Sequence, residues 1–515
     1  MLAIVNSVVL VGLEGQGVRV EVDISNGLPL CDIVGLPDPS VKEARERVRA
    51  AIKNSGFDFP LRRIIVNLAP GDIKKEGPIY DLPIALGILM AAEELGSGPE
   101  AAIYAVGELS LEGSLRPIPG VLPMALALQE FLPGATFIVP AANANEAALA
   151  SKIKVLAAES LAQVVAYWRG EAELPEVKPA TDGICPPVFN GVDLADIKGQ
   201  MAAKRGLEIA AAGGHNILLI GSPGAGKTML ARSLPSILPP LTYEEALTVT
   251  KIYSAAGLLA PGQGLVTERP FRAPHHTAST ASIIGGGRIP KPGEVSLATH
   301  GVLFLDEMAE YRRDVLEALR QPLEDRVVTV SRVAAAITYP ADFLLIGSMN
   351  PCPCGYYGDG VKECVCTPHQ VAQYRRRLSG PLLDRIDLHL EVPRLTYSEV
   401  EAGAARENSA AVRERVAAAR QKQRERFKGT GVACNAAMPS RQVYQFCRLD
   451  HQARTLLRDA FNKLGLSMRA HDRLLKVART IADLEGAGVI TAAHLAEAIQ
   501  YRSLDWGEEK QGMIQ

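Results

Sequence analysis

Short apolar runs alternate with amphipathic stretches over the first third of the chain. The runs VRVEVDI, RRIIVNLAP and ATFIVP have the length and the β-branched content of buried strands. The stretch SVKEARERVRAAIKNSG instead predicts a helix that Ser40 caps and Gly56 ends. Because strands alternate with helices, the pattern predicts an α/β domain over residues 1–170.

The pattern changes three more times along the chain. Four prolines in residues 171–191 predict an extended, semi-rigid linker. In residues 192–395, glycine-rich loops separate the apolar runs NILLIG, GVLFLDE and FLLIGSMN, which are typical of a parallel sheet covered on both faces. Residues 396–515 have helical periodicity, as in HDRLLKVARTIADLEG. We therefore predict an α/β protein with three domains and one linker.

Composition narrows the class of protein. The length of 515 residues agrees with roughly three domains of about 150 residues each. A hydrophobic content of 47% with 22% charged residues excludes disorder and fibrous repeats for most of the chain. The 55 basic and 57 acidic residues sum to a net charge of −2, which excludes binding to nucleic acid by net charge alone. A local basic surface or pore stays open.

Three features predict a soluble cytoplasmic protein with no membrane partner. The uncharged stretch at residues 82–92 is far shorter than the ~20 residues that cross a bilayer. The sequence MLAIVNSVVLVGLEG has no Lys or Arg before Arg19, so it lacks the positive region of a signal peptide. Eight cysteines are too few for a disulfide scaffold, and four of them crowd together in a pattern that favours metal binding in a reducing compartment.

The strongest motif is NILLIGSPGAGKTML, which contains a complete G-x-x-x-x-G-K-[ST] between a predicted strand and a predicted helix. Glycines let backbone N–H groups curl around phosphate, and the helix N-terminus adds a favourable dipole. Lys227 is predicted to contact the β- and γ-phosphates of ATP, and the Thr228 hydroxyl to bind Mg²⁺. The predicted nucleotide-binding residues are Gly221, Ser222, Pro223, Gly224, Ala225, Gly226, Lys227 and Thr228.

Two further strands end in polar residues. In GVLFLDE, Asp306 is placed to hold Mg²⁺, and Glu307 to orient or deprotonate the attacking water. In FLLIGSMNP, Asn350 is placed to sense the γ-phosphate or the water, although an Asn at a strand end is often only a turn former. In this order and spacing, the three motifs predict an ATPase core.

These motifs resemble the AAA+ ATPases of the pre-sensor-1-hairpin group, which includes magnesium chelatase motor subunits and MCM helicases. Five segments narrow the resemblance to the ComM (YifB-type) magnesium-chelatase-like family: GLPDPSVKEARERVRAAIKNSGF, RPFRAPHHTAS, PGEVSLATHGVLFLDE, SMNPCPCGYYGD and SGPLLDRIDLHLEV. The resemblance implies a Lon-protease-like (ribosomal S5 domain 2-like) α/β domain, a P-loop AAA+ α/β domain and a C-terminal α-helical lid. It also implies a homohexameric helicase that drives branch migration of branched or single-stranded DNA in recombination or natural transformation.

The resemblance assigns catalytic roles to two arginines. Arg385 in LLDRID matches the arginine finger, which reaches the nucleotide of a neighbouring subunit and stabilises transition-state charge. The alternative is an ion pair within the subunit, to Asp384 or Asp387. Arg469 in SMRAHDR matches the sensor-2 arginine, and Arg473, one helical turn later, is the competing candidate.

Two insertions are candidate DNA contacts. The segment DRVVTVSRVAAAITYPADF predicts a β-hairpin, in which Arg332 matches the basic residue that grips DNA in the pore of related motors. A single hairpin arginine is more usually a solvated side chain. The segment FRAPHHTASTASIIGGGRIPKPG resembles a second pore-facing insertion, and the roles of its His275, His276 and Arg288 stay open.

The resemblance to Lon-type proteases does not extend to their catalytic residues. The segment KEGPIYDLP matches the one that carries the nucleophilic serine and places Ile79 there. The segment GSLRPIPGVLPMA matches the one that carries the lysine and places Leu122 there. Because neither side chain can attack or abstract a proton, we predict a catalytically inactive module for assembly or substrate contact.

Four cysteines suggest a second metal. Cys352, Cys354, Cys364 and Cys366 form two C-x-C pairs separated by nine residues, three of them glycine. Four thiolates on such a turn-rich loop can close a tetrahedral Zn²⁺ site. The C-x-C spacing is less common than C-x-x-C, and reduced, partly buried thiols are the alternative.

Three classes of function remain open. A ring-shaped, ATP-driven DNA motor is the main prediction. A chelatase-like ATPase that remodels a protein partner is the alternative, although no metal-ion-adhesion signature D-x-S-x-S is present. An ATP-dependent protease is disfavoured by Ile79 and Leu122. The basic stretch VRERVAAARQKQRERFKG is either a solvated helix face or a contact for DNA phosphates.

Overall fold

Two compact units make up the protein. The computed structural model describes residues 2–95, 102–179, 191–287, 290–332, 335–395 and 407–502, except for the side chains of residues 331–335 and 464. Unit 1 comprises Met1–Cys185 and Thr242–Thr267, and unit 2 comprises Pro186–Leu241 and Glu268–Gln515. Thr242–Thr267, which falls within the predicted ATPase core, instead belongs to unit 1. Most of the predicted linker, residues 180–190, lies outside the described part of the chain.

A mixed seven-stranded sheet forms the centre of unit 1. The strands described in this unit are β1 (Leu2–Val11), β2 (Glu14–Ser25), β3 (Leu30–Val34), β4 (Arg63–Ala69), β5 (Ile103–Ala105), β6 (Glu108–Leu109), β7 (Leu115–Arg116), β8 (Thr136–Pro140) and β9 (Lys154–Ala158). The order in the sheet is β3-β4-β2-β1-β5-β8-β9, and β6 pairs separately with β7. The pairs β1–β2 and β2–β4 are antiparallel, whereas β3–β4, β1–β5, β5–β8 and β8–β9 are parallel.

Helices cover this sheet. They are α1 (Pro39–Asn54), α2 (Asp81–Ala91), α3 (Val121–Phe131), α4 (Ala144–Ala147), α5 (Leu161–Trp168) and, from the later segment of the chain, α8 (Tyr243–Ala256). The predicted cap of α1 is wrong by two residues: the Val41 amide donates to Asp38 Oδ1 at 2.8 Å, and the Ser40 hydroxyl also donates to Asp38. The helix starts earlier because Pro39 at its first position is already restricted to a helical φ. Gly56, with φ of +86°, follows the end of the helix as predicted.

A buried carboxylate connects α8 to the rest of unit 1. The Leu122 amide donates both to Glu146 Oε2 and to Ser254 Oγ, at 3.3 Å each, and the Gly120 amide donates to the Ser254 carbonyl at 2.9 Å. Asn143 Nδ2 donates to Glu146 Oε1 at 2.6 Å. Burial raises the pKa of Glu146, and these hydrogen bonds oppose the rise. Specific hydrogen bonds therefore hold α8 in unit 1, in addition to its buried apolar residues Ala246, Val249 and Ile252.

Unit 2 contains a five-stranded parallel sheet. Its strands are β10 (Ile217–Ile220), β11 (Phe271–Arg272), β14 (Val302–Leu305), β17 (Leu344–Met349) and β18 (Leu388–Glu391), in the order β11-β14-β17-β10-β18. Two separate antiparallel hairpins are β12–β13 (Gly285–Gly286 with Lys291–Pro292) and β15–β16 (Val327–Arg332 with Ala335–Pro340). Every residue of β10, β14 and β17 is buried, as the all-apolar runs predicted.

Helices lie along unit 2 and form its C-terminal part, which confirms the predicted helical region. The helices in the first part are α6 (Met201–Gly213), α7 (Lys227–Ile237), α9 (Thr280–Ile284), α10 (Glu294–Leu297), α11 (Arg313–Ala318), α12 (Arg320–Asp325), α13 (Pro368–Arg375) and α14 (Gly380–Leu383). The C-terminal helices are α15 (Ser409–Arg426), α16 (Ser440–Phe446), α17 (His451–Leu464), α18 (Met468–Leu484) and α19 (Ala492–Gln500). Short 3₁₀ segments occur at Pro78–Tyr80, Ala141–Asn143, Leu194–Asp196, Met308–Glu310 and Asn435–Ala437. Among the helices described, none has the length and apolar composition to cross a bilayer.

A chain of buried hydrogen bonds joins the sheet of unit 2 to the C-terminal helices. The His215 ring lies with Nδ1 3.4 Å from Asp387 Oδ2 and Nε2 2.8 Å from Thr480 Oγ1. Asn435 Nδ2 donates to Thr480 Oγ1 and to Asp483 Oδ2, at 3.0 and 2.9 Å. Burial raises the pKa of Asp387, but the contact with His215 and the charges of His215, Arg473 and Lys476 together lower it below its ordinary value.

The basic stretch of α15 is neither a bare solvated face nor a free phosphate-binding surface. Five of its seven cationic side chains donate hydrogen bonds within unit 2, to backbone carbonyls or to acidic side chains. These five are Arg413, Arg415, Arg420, Lys422 and Arg426. Most of the cationic side chains of α15 therefore form hydrogen bonds within unit 2 that hold this helix in place.

Candidate nucleotide-binding site

The parallel sheet of unit 2 aligns the ends of three strands. In the register of the sheet, Ile220 of β10 pairs with Met349 of β17, and Leu305 of β14 pairs with Gly347 of β17. The segments that follow these strands therefore leave the sheet at the same edge. In open α/β sheets, the carboxyl edge is where ligands bind.

The predicted P-loop follows β10 and leads directly into α7, which begins at Lys227. Gly224 and Gly226 have φ of +81° and +93°, a left-handed conformation that favours glycine. Lys227 Nζ donates to the carbonyls of Gly221 and Ser222 at 2.6 and 3.0 Å. Burial lowers the pKa of Lys227, while Asp306 and Glu307 oppose that shift.

The structure brings together four residues that the sequence predicted for catalysis and metal binding. Lys227 Nζ donates to Asn350 Oδ1 at 3.2 Å, and the Thr228 hydroxyl donates to Asp306 Oδ2 at 3.2 Å. Ser348, which the motifs did not predict as a site residue, also belongs to this group, because its hydroxyl donates to Asp306 Oδ1. A signal for it was present, because Ser348 precedes Asn350 by two positions and residues two apart in a strand share one face.

Glu307 has an unusual backbone conformation. Its φ of +51° and ψ of +46° are left-handed values that cost a non-glycine residue free energy and occur at functional sites. The Glu307 amide donates to Asp306 Oδ1 at 3.1 Å and to Ser348 Oγ at 3.3 Å. These two bonds hold the backbone, whereas the carboxylate side chain is 58% exposed.

A cavity of about 710 Å³ in unit 2, lined by basic and acidic side chains alike, brings together the predicted finger and sensor arginines. Arg385, Arg469 and Arg473 all line it. Arg385 does not use Asp387 or Asp384 as its ion-pair partner; its guanidinium pairs with Glu324 and donates to the Pro381 carbonyl at 2.8 Å. Burial and the neighbouring arginines lower the pKa of Arg385. Arg385 Nε is buried and has no hydrogen-bond partner among the described residues.

Arg469 and Arg473 lie one turn apart near the start of α18. Ser467 caps this helix as the sequence suggested, since its Oγ accepts a bond from the Ala470 amide at 3.2 Å. Arg469 in the first turn is exposed, whereas Arg473 is mostly buried with Nε 3.9 Å from Asp387 Oδ1. The assignment of the sensor role to Arg469 stays a prediction.

The predicted hairpin between the second and third motifs is confirmed. β15 and β16 pair antiparallel, and Arg332 lies opposite Ala335 in the last described pair of the ladder. The side chain of Arg332 and the whole of Arg288 lie outside the part of the chain that the structure describes. Binding of DNA by Arg332 stays a prediction.

The four predicted metal ligands converge. The Sγ atoms of Cys352, Cys354, Cys364 and Cys366 all lie within 4.8 Å of one another. Three of the separations are 3.4, 3.6 and 3.6 Å. Tetrahedral ligands at ~2.3 Å from Zn²⁺ would lie roughly 3.8 Å apart, so the cluster has the size that zinc requires. Cys352 is fully buried, which suits a ligand that anchors the site.

The two positions that match the Lon-type catalytic residues are apolar and buried. Ile79 lies in the 3₁₀ segment before α2, and its residue is 6% exposed. Leu122 lies in the first turn of α3 and is fully buried. Both side chains serve packing in unit 1, and the absence of peptidase activity stays a prediction.

The nucleotide site and the sheet that carries it define unit 2 as an AAA+-type P-loop ATPase module. Family models described as "Magnesium chelatase, subunit ChlI", "Subunit ChlI of Mg-chelatase" and "Magnesium chelatase, subunit ChlI C-terminal" match residues 193–400, 20–143 and 406–502. The chain belongs to the magnesium-chelatase ChlI-like family that includes YifB and ComM.

Two similar proteins cover nearly the whole chain. The uncharacterized protein YifB of Salmonella typhimurium is 47% identical over 98% of this chain and 97% of its own length. The competence protein ComM of Haemophilus influenzae is 46% identical over 98% of each chain. A magnesium-chelatase 67 kDa subunit of Heliobacterium mobile is 27% identical over 32% of this chain and 28% of its own length.

Proposed function

We propose that this protein is an ATP-hydrolysing ring motor that acts on branched or single-stranded DNA in the cytoplasm. The proposed activity is that of a helicase promoting branch migration in recombination or natural transformation. The observation that carries the hydrolytic part is the pair of contacts Lys227–Asn350 and Thr228–Asp306 at one edge of the sheet. Similarity over nearly the full length to a competence protein supports DNA as the substrate.

Each residue at the edge of the sheet has a separate role in ATP hydrolysis. The P-loop amides and Lys227 bind the β- and γ-phosphates of ATP. Thr228 and Asp306 are the oxygen ligands that would hold Mg²⁺, which neutralises phosphate charge when bound. Glu307 accepts the proton of the attacking water, and Asn350 orients the water or the γ-phosphate. Lys227 exchanges its bonds to the Gly221 and Ser222 carbonyls for phosphate oxygens.

Arg385 and Arg469 complete the site of the neighbouring subunit in the proposed homohexamer. Both line a cavity away from their own P-loop contacts, and Arg385 has a buried Nε–H that lacks a partner among the described residues. A buried, unsatisfied donor of a charged group is costly, so a phosphate group arriving from another subunit would stabilise it. The resemblance to related motors assigns the arginine-finger role to Arg385 and the sensor-2 role to Arg469.

DNA contact is proposed for the tip of the β15–β16 hairpin. The proposal is supported by the position of Arg332 in the ladder, where its backbone forms the last described pair, at the end opposite Val327. A ring of six such positions would supply six cations to a pore without requiring a basic protein overall, which agrees with the net charge of −2.

Zn²⁺ is proposed for the four-cysteine cluster. The fit rests on the donor set and on the mutual distances of the sulfur atoms, since four thiolates within 4.8 Å favour a tetrahedral ion. The cluster residues are joined by a loop whose exposed parts include Val361 and Val365. A bound ion would stiffen a segment that has few apolar contacts of its own.

The second candidate function is a chelatase-like ATPase that remodels a protein partner. The similarity to a magnesium-chelatase subunit favours it, although that similarity covers 32% of this chain. This function would use the same nucleotide site and would have no need for Arg332.

A branch-migration assay tests the proposal. A four-way DNA junction with one labelled strand is incubated with protein and ATP, and the resolved duplex is quantified. We expect ATP-dependent resolution that Lys227→Ala abolishes. Resolution in Lys227→Ala would exclude a motor driven by this site. No resolution by an enzyme that hydrolyses ATP would favour the protein-remodelling function.

A further inference from the structure

The histidine pair in RAPHHTAS lies beside the site, although the sequence analysis gave it no role. His276 Nδ1 is 3.6 Å from Glu307 Oε2. The rings of His275 and His276 are tilted against each other with their centroids 4.1 Å apart. His275 faces differently, because its Nδ1 lies 2.9 Å from Thr277 Oγ1. Only His276 of the two therefore has a described contact with the carboxylate proposed to take the proton from water.

The segment that carries His276 is held in place from two sides. The Tyr311 hydroxyl donates to the Pro274 carbonyl at 2.5 Å, and the rings of Tyr311 and His276 meet edge to face with centroids 6.4 Å apart. Further along, the Thr280 hydroxyl donates to Asp314 Oδ2 at 2.8 Å. Tyr311 and Asp314 belong to the same stretch of chain as Glu307, so the two segments are fixed against each other.

Glu307 needs such a neighbour because its side chain has little other support. The left-handed backbone and the two amide bonds fix where the side chain begins, but the carboxylate is more than half exposed. An exposed glutamate with three rotatable bonds samples several rotamers, and ordering it costs entropy. A ring N–H donated to one carboxylate oxygen removes that freedom and leaves the other oxygen for water.

We propose that His276 is a positioning residue for ATP hydrolysis, which holds the Glu307 carboxylate in the orientation that accepts a proton from the attacking water. In the proposed arrangement the ring Nδ1–H closes from 3.6 Å to hydrogen-bonding distance of Oε2, which leaves Oε1 to accept the proton from the water. During the step the water O–H bond breaks, its proton moves to Glu307, and the water oxygen bonds to the γ-phosphorus as the bond to ADP breaks. The inference rests on the proposed function, because it requires hydrolysis through Glu307.

The test compares His276→Ala with the matched control His275→Ala, in purified full-length protein. We expect the kcat of His276→Ala to fall about 10- to 100-fold, the range typical of lost supporting interactions, with nucleotide affinity unchanged. His275→Ala should keep a kcat close to that of the wild type. His276→Gln, whose amide can donate to a carboxylate, should recover part of the loss.

A double-variant cycle shows whether His276 acts through Glu307. Replacing His276 by Ala in a Glu307→Gln background should cause no further loss, because the group being positioned is already gone. An independent additional loss, an unchanged kcat in His276→Ala, or a parallel fall in nucleotide affinity would overturn the inference. Absence of hydrolysis by the wild type in the same assay would instead overturn the proposed function.

Discussion

Gly355, in the loop of the cysteine cluster, packs directly against Pro223 in the P-loop. A Cβ atom at Gly355 would lie 2.8 Å from two atoms of the Pro223 ring and 3.8 Å from Asn350 Cγ. The φ of Gly355 is +87°, which also favours glycine. The loop of the cysteine cluster therefore packs against the predicted nucleotide site. A change in the conformation of this loop would change the shape of the P-loop.

Substitution of Gly355 should weaken nucleotide binding. Gly355→Ala forces Pro223 to move, and we expect ATP affinity measured by fluorescent-nucleotide titration to fall about tenfold, equivalent to roughly 1.4 kcal/mol. Gly358→Ala is the matched control, since Gly358 has φ of +78° but a Cβ there meets open space. Equal affinities of the two variants would show that contact with Pro223 does not shape the site.

Loss of zinc from the cysteine cluster should weaken nucleotide binding. Protein purified without chelator should contain about one equivalent of zinc, and Cys364→Ser should lose most of it. Because the ion would hold the loop that contains Gly355, we expect the same variant to bind ATP more weakly. Metal analysis of the wild-type protein that finds less than about one tenth of an equivalent would exclude a resident zinc.

His389 in β18 should make unit 2 sensitive to acid. It is 2% exposed, and neither ring nitrogen has a hydrogen-bond partner among the described residues. Burial, assisted by Arg502, lowers the pKa of His389 from 6.5 to about 3. Between these pH values the unfolded chain binds a proton that the folded protein does not. The contribution of neutral His389 to the free energy of unfolding is therefore fully present above pH 6.5. As the pH falls from 6.5 towards 3, this free energy declines by about 1.4 kcal/mol per pH unit.

Urea unfolding at pH 7.5 and at pH 5.5 measures this effect. We expect His389→Leu to gain stability relative to the wild type at the lower pH, and His369→Leu, which removes an exposed histidine, to serve as the control. If the difference between His389→Leu and wild type is the same at both pH values, then His389 does not remain neutral in the folded protein.

Local patterns predicted which residues meet at the edge of the parallel sheet, because these residues are contiguous or follow aligned strand ends. The P-loop, Asp306, Glu307 and Asn350 each follow an apolar run, and parallel strands bring such ends together. The hairpin with Arg332 was also evident, since two β-rich runs flank small residues. These features depend on short-range sequence rules.

Contacts between distant segments could not be predicted. His276 and Glu307 lie 31 positions apart, and nothing in the local pattern of either indicates the other. The pairing of Arg385 with Glu324 rather than with Asp384 or Asp387 depends on how α12 packs. Thr242–Thr267 is held in unit 1 by hydrogen bonds such as the one from Gly120 to Ser254. These two residues lie more than 130 positions apart in the sequence.

The most direct test of the account is the rate of ATP hydrolysis with and without DNA. Wild type, Lys227→Ala and Arg332→Ala are each assayed alone and with a four-way junction, single strands or duplex. We expect that branched or single-stranded DNA accelerates hydrolysis by the wild type, that Arg332→Ala keeps basal hydrolysis but loses the acceleration, and that Lys227→Ala is inactive. Basal hydrolysis that no DNA accelerates would contradict the DNA motor.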